Sequence, residues 1–279
     1  MNKTRIKHLL IGEFSWQRLV RSVIFIYAFL CFYAFFLTDR QIFQPQKASY
    51  QDSATILKLT SRPGIQISAV YLPNPKASYT ILYSHGNAED LGEIQPILAK
   101  LQALGFAVFA YDYQGYGTSQ GTASELGTYQ DIEAAERYLV EKLGVSPQQL
   151  IIYGRSVGSG PSVDLAMRRP VAGLIVESGF LSAFRAVTYI PLTPFDKFAN
   201  IDKISKVRCP VLVIHGQADE VVPFWQGEQL YAAAPPPKFH LWVEAAGHND
   251  AIEVAGDRYD QTLRKFAQWL KSRTGNPAS

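Results

Sequence analysis

The pentapeptide Gly154-Arg155-Ser156-Val157-Gly158 constrains this chain more than any other stretch. It follows the apolar run Leu150-Ile151-Ile152-Tyr153 and precedes a helix-like stretch from Ser162 to Arg168. A strand, a G-x-S-x-G turn and a helix in that order set a serine on a sharp, strained corner. The flanking glycines are needed because a Cβ at either place would strike the adjacent strand or helix. The backbone N–H after the serine then points at the position where an oxyanion forms. Alone, the pattern arises by chance in roughly one chain in ten of this length. The remaining sequence must therefore supply a base, an acid and a second oxyanion donor.

Composition allows a large core, with 47% hydrophobic residues in 279. One large domain with a small extension is the economical reading of that length. Cys31 and Cys209 form no disulfide framework, and neither has metal-ligand spacing. The formal charge of +3 is concentrated at the N-terminus. Residues 1–40 hold Lys3, Arg5, Lys7, Arg18, Arg21 and Arg40 against Glu13 and Asp39, which leaves the remainder nearly neutral. Without a basic stripe on the globular part, nucleic-acid binding is not expected.

Ser22 to Leu37 carries no charge and is apolar all round. Extended by Leu19, Val20 and Thr38, it is long enough for a helix to cross a membrane over residues 20–38. A cleaved signal peptide is the rival reading, but no A-x-A site follows; the next residues are Thr38-Asp39-Arg40-Gln41. Residues 1–40 are thus read as an anchor. Five Lys/Arg precede the span, so the positive-inside rule predicts a cytoplasmic N-terminus and a C-terminal domain on the opposite side.

Residues 41–53, polar and holding Pro45, read as a linker, with a domain over 54–273. A hairpin turning at Pro63-Gly64 is predicted to open the domain. Strands are expected over 79–84, 106–111, 150–153, 171–176, 211–216 and 239–244. A helix is predicted from about Glu89 to Leu104. Another is predicted behind Thr122, whose spacing to Glu125 resembles a capping box. The closing helix, Arg258 to Lys271, sets Tyr259, Leu263, Phe266 and Leu270 on one side. Residues 181–207 hold Pro191, Pro194 and several aromatics without clear periodicity, and read as a small lid. Strands alternating with helices imply a mainly parallel sheet covered on both faces.

Functional groups in such sheets gather at the carboxyl ends of the strands. Five histidines are candidates for the base. His8 precedes the anchor, His240 lies inside a strand and is expected to pack there, and His85 and His215 end strands where they shape loops. His248, in Glu244-Ala245-Ala246-Gly247-His248-Asn249-Asp250, follows the last strand and can reach back to Ser156. The orienting acid falls between serine and histidine in this chain order. Asp219, in Gly216-Gln217-Ala218-Asp219, fits; Glu220 and Glu177 are its rivals, and Asp196 and Asp202 lie in the excursion. The second oxyanion donor is expected from His85-Gly86-Asn87-Ala88, through the N–H of Asn87 or Ala88, beside that of Val157.

The stretches SHGNAEDLG, YDYQGYGTSQG, DIEAAERYL, IIYGRSVGSGPSVDLA, NIDKISKVRCPVLVIHGQADEVVP and LWVEAAGHND extend the pattern from about residue 55 to 270. Together they resemble the α/β-hydrolase-domain family that includes the depalmitoylating serine hydrolases (acyl-protein thioesterases). The resemblance implies an α/β-hydrolase fold and a triad at Ser156, Asp219 and His248, the same three residues, and the oxyanion hole is expected from Asn87 and Val157. It also implies hydrolysis of acyl esters or thioesters without a cofactor or metal. It departs at the N-terminus: the family's eukaryotic members carry a lipidated cysteine-rich segment, and this chain has an apolar span with one cysteine. The expected protein is a membrane-anchored serine hydrolase acting on small or lipid-like acyl substrates. A serine peptidase of the same fold, or a catalytically silent membrane-tethered binder, are the alternatives.

Overall fold

A computed structural model describes residues 15–274, which fall into two compact units dividing between Gln41 and Ile42. His8 and the basic residues Lys3, Arg5 and Lys7 lie outside the described residues. The first unit is built on α1 (Trp16–Phe36), 21 residues long. At 1.5 Å per residue it is about 30 Å, the thickness of a bilayer's hydrocarbon core. It leaves large apolar side chains such as Ile24, Phe25, Phe29 and Phe36 exposed, so it is a candidate membrane span.

The second unit opens with β1 (Leu57–Arg62) and β2 (Ile65–Leu72), an antiparallel hairpin. Gly64 turns it with φ +76°, a left-handed value costly for any residue with a Cβ. The chain then alternates between strands and helices. In order come β3 (Thr80–Ser84), α2 (Gln95–Ala103), β4 (Ala107–Tyr111), α3 (Glu125–Arg137), β5 (Leu150–Arg155), α4 (Ser159–Arg168) and β6 (Gly173–Glu177). Two short helices follow, α5 (Ala183–Thr188) and α6 (Asn200–Ile204), then β7 (Val211–Gly216), α7 (Phe224–Ala233), β8 (Lys238–Val243) and α8 (Asp257–Thr274).

The eight strands form one sheet in the order β1-β2-β4-β3-β5-β6-β7-β8. Pairing is antiparallel out to β4 and parallel from β4 to β8. β3 to β7, apart from the hairpin, are buried throughout, as expected where helices cover both faces. Alternation sends Ile81 and Tyr83 into one apolar layer and Leu82 into the other. Ile132 of α3, Val163 of α4 and Leu230 of α7 close the layer that holds Leu82. Leu98 of α2, with Tyr259, Leu263, Phe266 and Leu270 of α8, closes the opposite layer, so the apolar stripe of the last helix faces the sheet.

Three local expectations change. α3 is capped by Ser124 rather than Thr122: Ser124 is extended and its Oγ accepts the Gly127 N–H at 3.0 Å. Residues 42–50 are bonded into the domain, with Phe43 only 4% exposed. There the Ser49 amide donates to Asp90 Oδ2 at 2.7 Å and the Tyr50 hydroxyl to Asp112 Oδ2 at 2.6 Å. His240 is exposed on the edge strand β8, where its ring stacks on Trp242 at 4.7 Å.

Candidate active site

Ser156 sits between β5 and α4 with φ +51°. A left-handed non-glycine residue costs about 1–3 kcal/mol and persists only where its surroundings over-determine it. The two glycines supply that constraint. A Cβ on Gly154 would lie 2.4 Å from the Gly158 carbonyl oxygen and 2.6 Å from Ser162 Oγ. One on Gly158 would lie 2.2 Å from the Ser84 carbonyl oxygen. The elbow is thus wedged between the helix it starts and the end of β3. Ser156 also stands at the N-terminal end of a helix, where backbone N–H groups without helical partners and the aligned peptide dipoles favour negative charge.

His248 Nε2 lies 2.9 Å from Ser156 Oγ, and its Nδ1 lies 2.8 Å from Asp219 Oδ2. These three residues come from loops after β5, β7 and β8. Asp219 Oδ1 accepts the amides of Val221 at 2.9 Å and Val222 at 2.7 Å. Burial alone would raise this carboxyl. Hydrogen bonds from His215 and His248, the charge of His248 and the Val222 amide outweigh it and hold Asp219 well below the carboxylate range. A carboxylate so held remains an acceptor and fixes the tautomer in which His248 Nε2 can take a proton.

Gly86 brings the loop after β3 against the serine; a Cβ there would lie 3.7 Å from Ser156 Cβ. The Gly86 amide donates to Glu89 Oε2 at 2.8 Å, and the Ala88 amide to Asn87 Oδ1 at 3.1 Å. Of the two donors left open by the residues alone, Ala88 is therefore occupied. The Asn87 amide has no acceptor among the described residues, and Ala88 turns the chain at φ +57°.

The rival acids stand elsewhere. Glu177 is buried between Tyr153, Tyr259 and Arg155, and burial raises its carboxyl. Asp196 caps α5 through the Phe184 amide, and Glu220 and Asp202 are exposed.

Three residues support the site: His215, expected to shape its loop, does so, and Ser178 and Arg155 escape a reading by motif. His215 donates from Nε2 to the Val222 carbonyl at 2.8 Å and stands 3.4 Å from Asp219 Oδ2, bracing the acid loop. Ser178 donates to the His248 carbonyl at 3.2 Å. Arg155, buried beside the serine, pairs with Glu89 of the Asn87 loop and donates from Nη2 to Asn249 Oδ1 at 2.9 Å. It links the loops after β3, β5 and β8. The one signal for it in the sequence is a charged residue inside the otherwise apolar elbow.

A serine elbow at the centre of a mainly parallel sheet, with helices on both faces, defines an α/β hydrolase. The chain belongs to the family of α/β-hydrolase domain-containing protein 17, and the stretches around Ser84, Asp112 and Ser156 point to the wider α/β-hydrolase-domain family. It is 41% identical over 238 residues to protein 17B of Xenopus tropicalis, covering 82% of this chain and 80% of that one. It is 42% identical over 224 residues to human protein 17B, covering 77% and 76%. A family model described as "Serine aminopeptidase, S33" matches residues 75–201, and one described as "Prolyl oligopeptidase family" matches 187–276. The fold is similar to the Pyrococcus furiosus esterase Pf2001, with TM-score 0.67 and 16% identity over 81% of this chain and 98% of that one. It is also similar to the monoacylglycerol lipase of Paleococcus ferrophilus, with TM-score 0.58 and 18% identity over 74% and 98%.

Proposed function

We propose that this hydrolase is a membrane-anchored serine hydrolase that cleaves acyl esters or thioesters through an acyl-enzyme. The observation that carries the reading is the continuous bond path from Asp219 through His248 to Ser156 Oγ. Ser156 Oγ attacks the acyl carbonyl carbon while His248 Nε2 takes its proton. The charge that develops on the carbonyl oxygen meets the N–H groups of Val157 and Asn87, each worth about 3 kcal/mol in the transition state. The acyl–oxygen or acyl–sulfur bond then breaks, and the leaving alcohol or thiol takes the proton from His248. Water repeats the attack on the acyl-serine with His248 again as base, releasing a carboxylic acid and restoring the serine.

α1 supports the anchor, and the five basic residues ahead of the apolar run favour a cytoplasmic N-terminus with the hydrolase domain across the membrane. Protease added to spheroplasts should then remove a C-terminal tag; a tag protected until lysis would sink this orientation. Proximity to lipid makes long-chain acyl substrates the first to try.

The two matching family models favour a second reading, a serine peptidase of the same fold. Purified protein separates the two. Turnover of p-nitrophenyl esters and acyl-cysteine thioesters of graded length, without turnover of aminoacyl p-nitroanilides, supports the first. Ser156→Ala should lose both turnover and fluorophosphonate labelling. Labelling retained in that variant would refute the serine assignment, and a wild-type chain that neither labels nor turns over would make the fold a silent binding module.

A further inference from the structure

The few residues that follow the apolar helix are bonded directly into the oxyanion loop. Ile42 stands six positions beyond the last residue of α1, at Phe36. Its carbonyl accepts Asn87 Nδ2 at 2.6 Å. Two residues on, the Gln44 amide donates to Asn87 Oδ1 at 3.0 Å and also reaches the Tyr116 hydroxyl at 3.1 Å. Tyr116 in turn donates to Asn87 Oδ1 at 2.6 Å. Between them Phe43 is buried, edge-on to Tyr116 and Phe198 with ring centroids 6.4 and 5.9 Å away.

We propose that Ile42–Gln44 and Tyr116 form a positioning element of the active site, holding Asn87 so that its main-chain amide stays available to an oxyanion. The inference rests on the serine-hydrolase reading above. Its logic is one of occupancy. The Asn87 side chain has its acceptor taken by Tyr116, Gln44 and Ala88, and a donor taken by Ile42. Its neighbours' amides are also engaged, Gly86 by Glu89 and Ala88 by Asn87 itself. One N–H in this turn is left over, that of Asn87, the next residue after Gly86, whose Cβ position lies 3.7 Å from Ser156 Cβ. Without the strap, the carboxamide loses its bonds to Ile42 and Gln44 and is free to rotate, and with it the Oδ1 that accepts the amide of Ala88 in its left-handed turn. A donor displaced by a fraction of an ångström forfeits transition-state stabilisation while leaving ground-state binding nearly untouched. The segment joining anchor and domain is then a working part of the catalyst, and its loss should appear in turnover.

The test uses the full chain in detergent, with p-nitrophenyl butyrate as substrate. Tyr116→Phe removes one hydroxyl donor to Asn87, and Phe43→Ala unseats the strap. Both should lower kcat about tenfold, leave KM within about twofold, and slow fluorophosphonate labelling in step with kcat. Phe43→Leu should recover most of the loss, and Tyr116→Phe stands if Phe43→Ala fails to fold. Ser156→Ala run in parallel separates the two readings. If it keeps its turnover, the serine assignment falls and this inference with it. If it is inactive while Tyr116→Phe and Phe43→Ala turn over like the unaltered chain, the strap alone is overturned.

Discussion

Gly158 lies against the end of β3 so closely that a Cβ on it would stand 2.2 Å from the carbonyl oxygen of Ser84. Both contacting groups are backbone, so neither can swing aside. Gly158→Ala must push the elbow away from β3, into a core packed at crystal density. We expect a loss of about 3 kcal/mol or more in unfolding free energy, with fluorophosphonate labelling reduced in whatever folded protein remains. Gly105→Ala is the comparison. That glycine has open space around its Cβ and pays only for φ +105°, so it should cost less. Equal losses in denaturant unfolding would show that crowding at Ser84 is not the cause.

Arg155 carries a second prediction. Its guanidinium is 5% exposed between Glu89 and Glu177, and those carboxylates, with the Tyr83 ring nearby, hold its proton against the cost of burial. Arg155→Met leaves the buried Glu177 and the half-buried Glu89 without their cation, which should cost about 3–5 kcal/mol. Arg155→Lys should recover only part of it, because an ammonium cannot serve Glu89 and Asn249 in one plane. Adding Glu89→Gln to Arg155→Met should return some stability but not activity, since the Gly86 loop has lost its charged tether. Full turnover in that double variant would deny Arg155 any part in aligning the loops.

The difference between Ser156 and Arg155 explains how much was legible beforehand. Ser156, Asp219 and His248 each follow an apolar strand, so periodicity with chain order is enough to place them at one end of the sheet, where the structure brings their side chains together. Gly158 announces itself because only a close approach demands glycine there. Ser124 and Thr122 are both competent caps, and which one the chain uses depends on where tertiary contacts begin the helix. The segment 41–53 reads as polar, yet Phe43 and Tyr50 anchor it through partners such as Tyr116 and Asp112 that are more than sixty residues away. Arg155 and Ser178 likewise act through partners that pattern cannot pair, because no periodicity encodes a contact between loops.

Stability should rise as pH falls from 8 to about 5.5. Burial of Asp131 pushes its carboxyl up to about 6, despite bonds from Ser61 and Gln114. Its folded value therefore exceeds the unfolded one, near 3.9, and the penalty for its charge is relieved as pH falls through 6. Burial opposes a charged His85, but Asp112 and the Gly86 carbonyl win and raise it. Its contribution is present below the unfolded value near 6.5 and lost as pH rises through the folded one. Asp219 has the opposite sign, but its contribution is lost only in strong acid. Urea unfolding followed by tryptophan fluorescence should show a higher midpoint at pH 5.5 than at 8, and Asp131→Asn should flatten the slope. A midpoint that falls over this interval would contradict the assignment.

Asp219 decides which nitrogen of His248 carries the proton. Asp219 uses its two oxygens differently: Oδ1 is committed to the Val221 and Val222 amides, and Oδ2 faces His248 Nδ1. In Asp219→Asn the carbonyl oxygen keeps the two amides, because an NH2 group there would set donor against donor. The NH2 then faces His248 Nδ1, which must become an acceptor. That moves the imidazole proton to Nε2, the atom 2.9 Å from Ser156 Oγ, where it can no longer receive a proton from the serine. We expect kcat to fall by about 10⁴ with the fold intact, the size of effect a wrong tautomer produces in such triads. Glu220 cannot substitute, since it is exposed on the far side of a loop whose amides face Asp219. Asp219→Ala leaves His248 free to take either tautomer, so it should retain more fluorophosphonate labelling than Asp219→Asn. The reverse order would mean that Asp219 acts through its charge alone and not by setting the position of the proton.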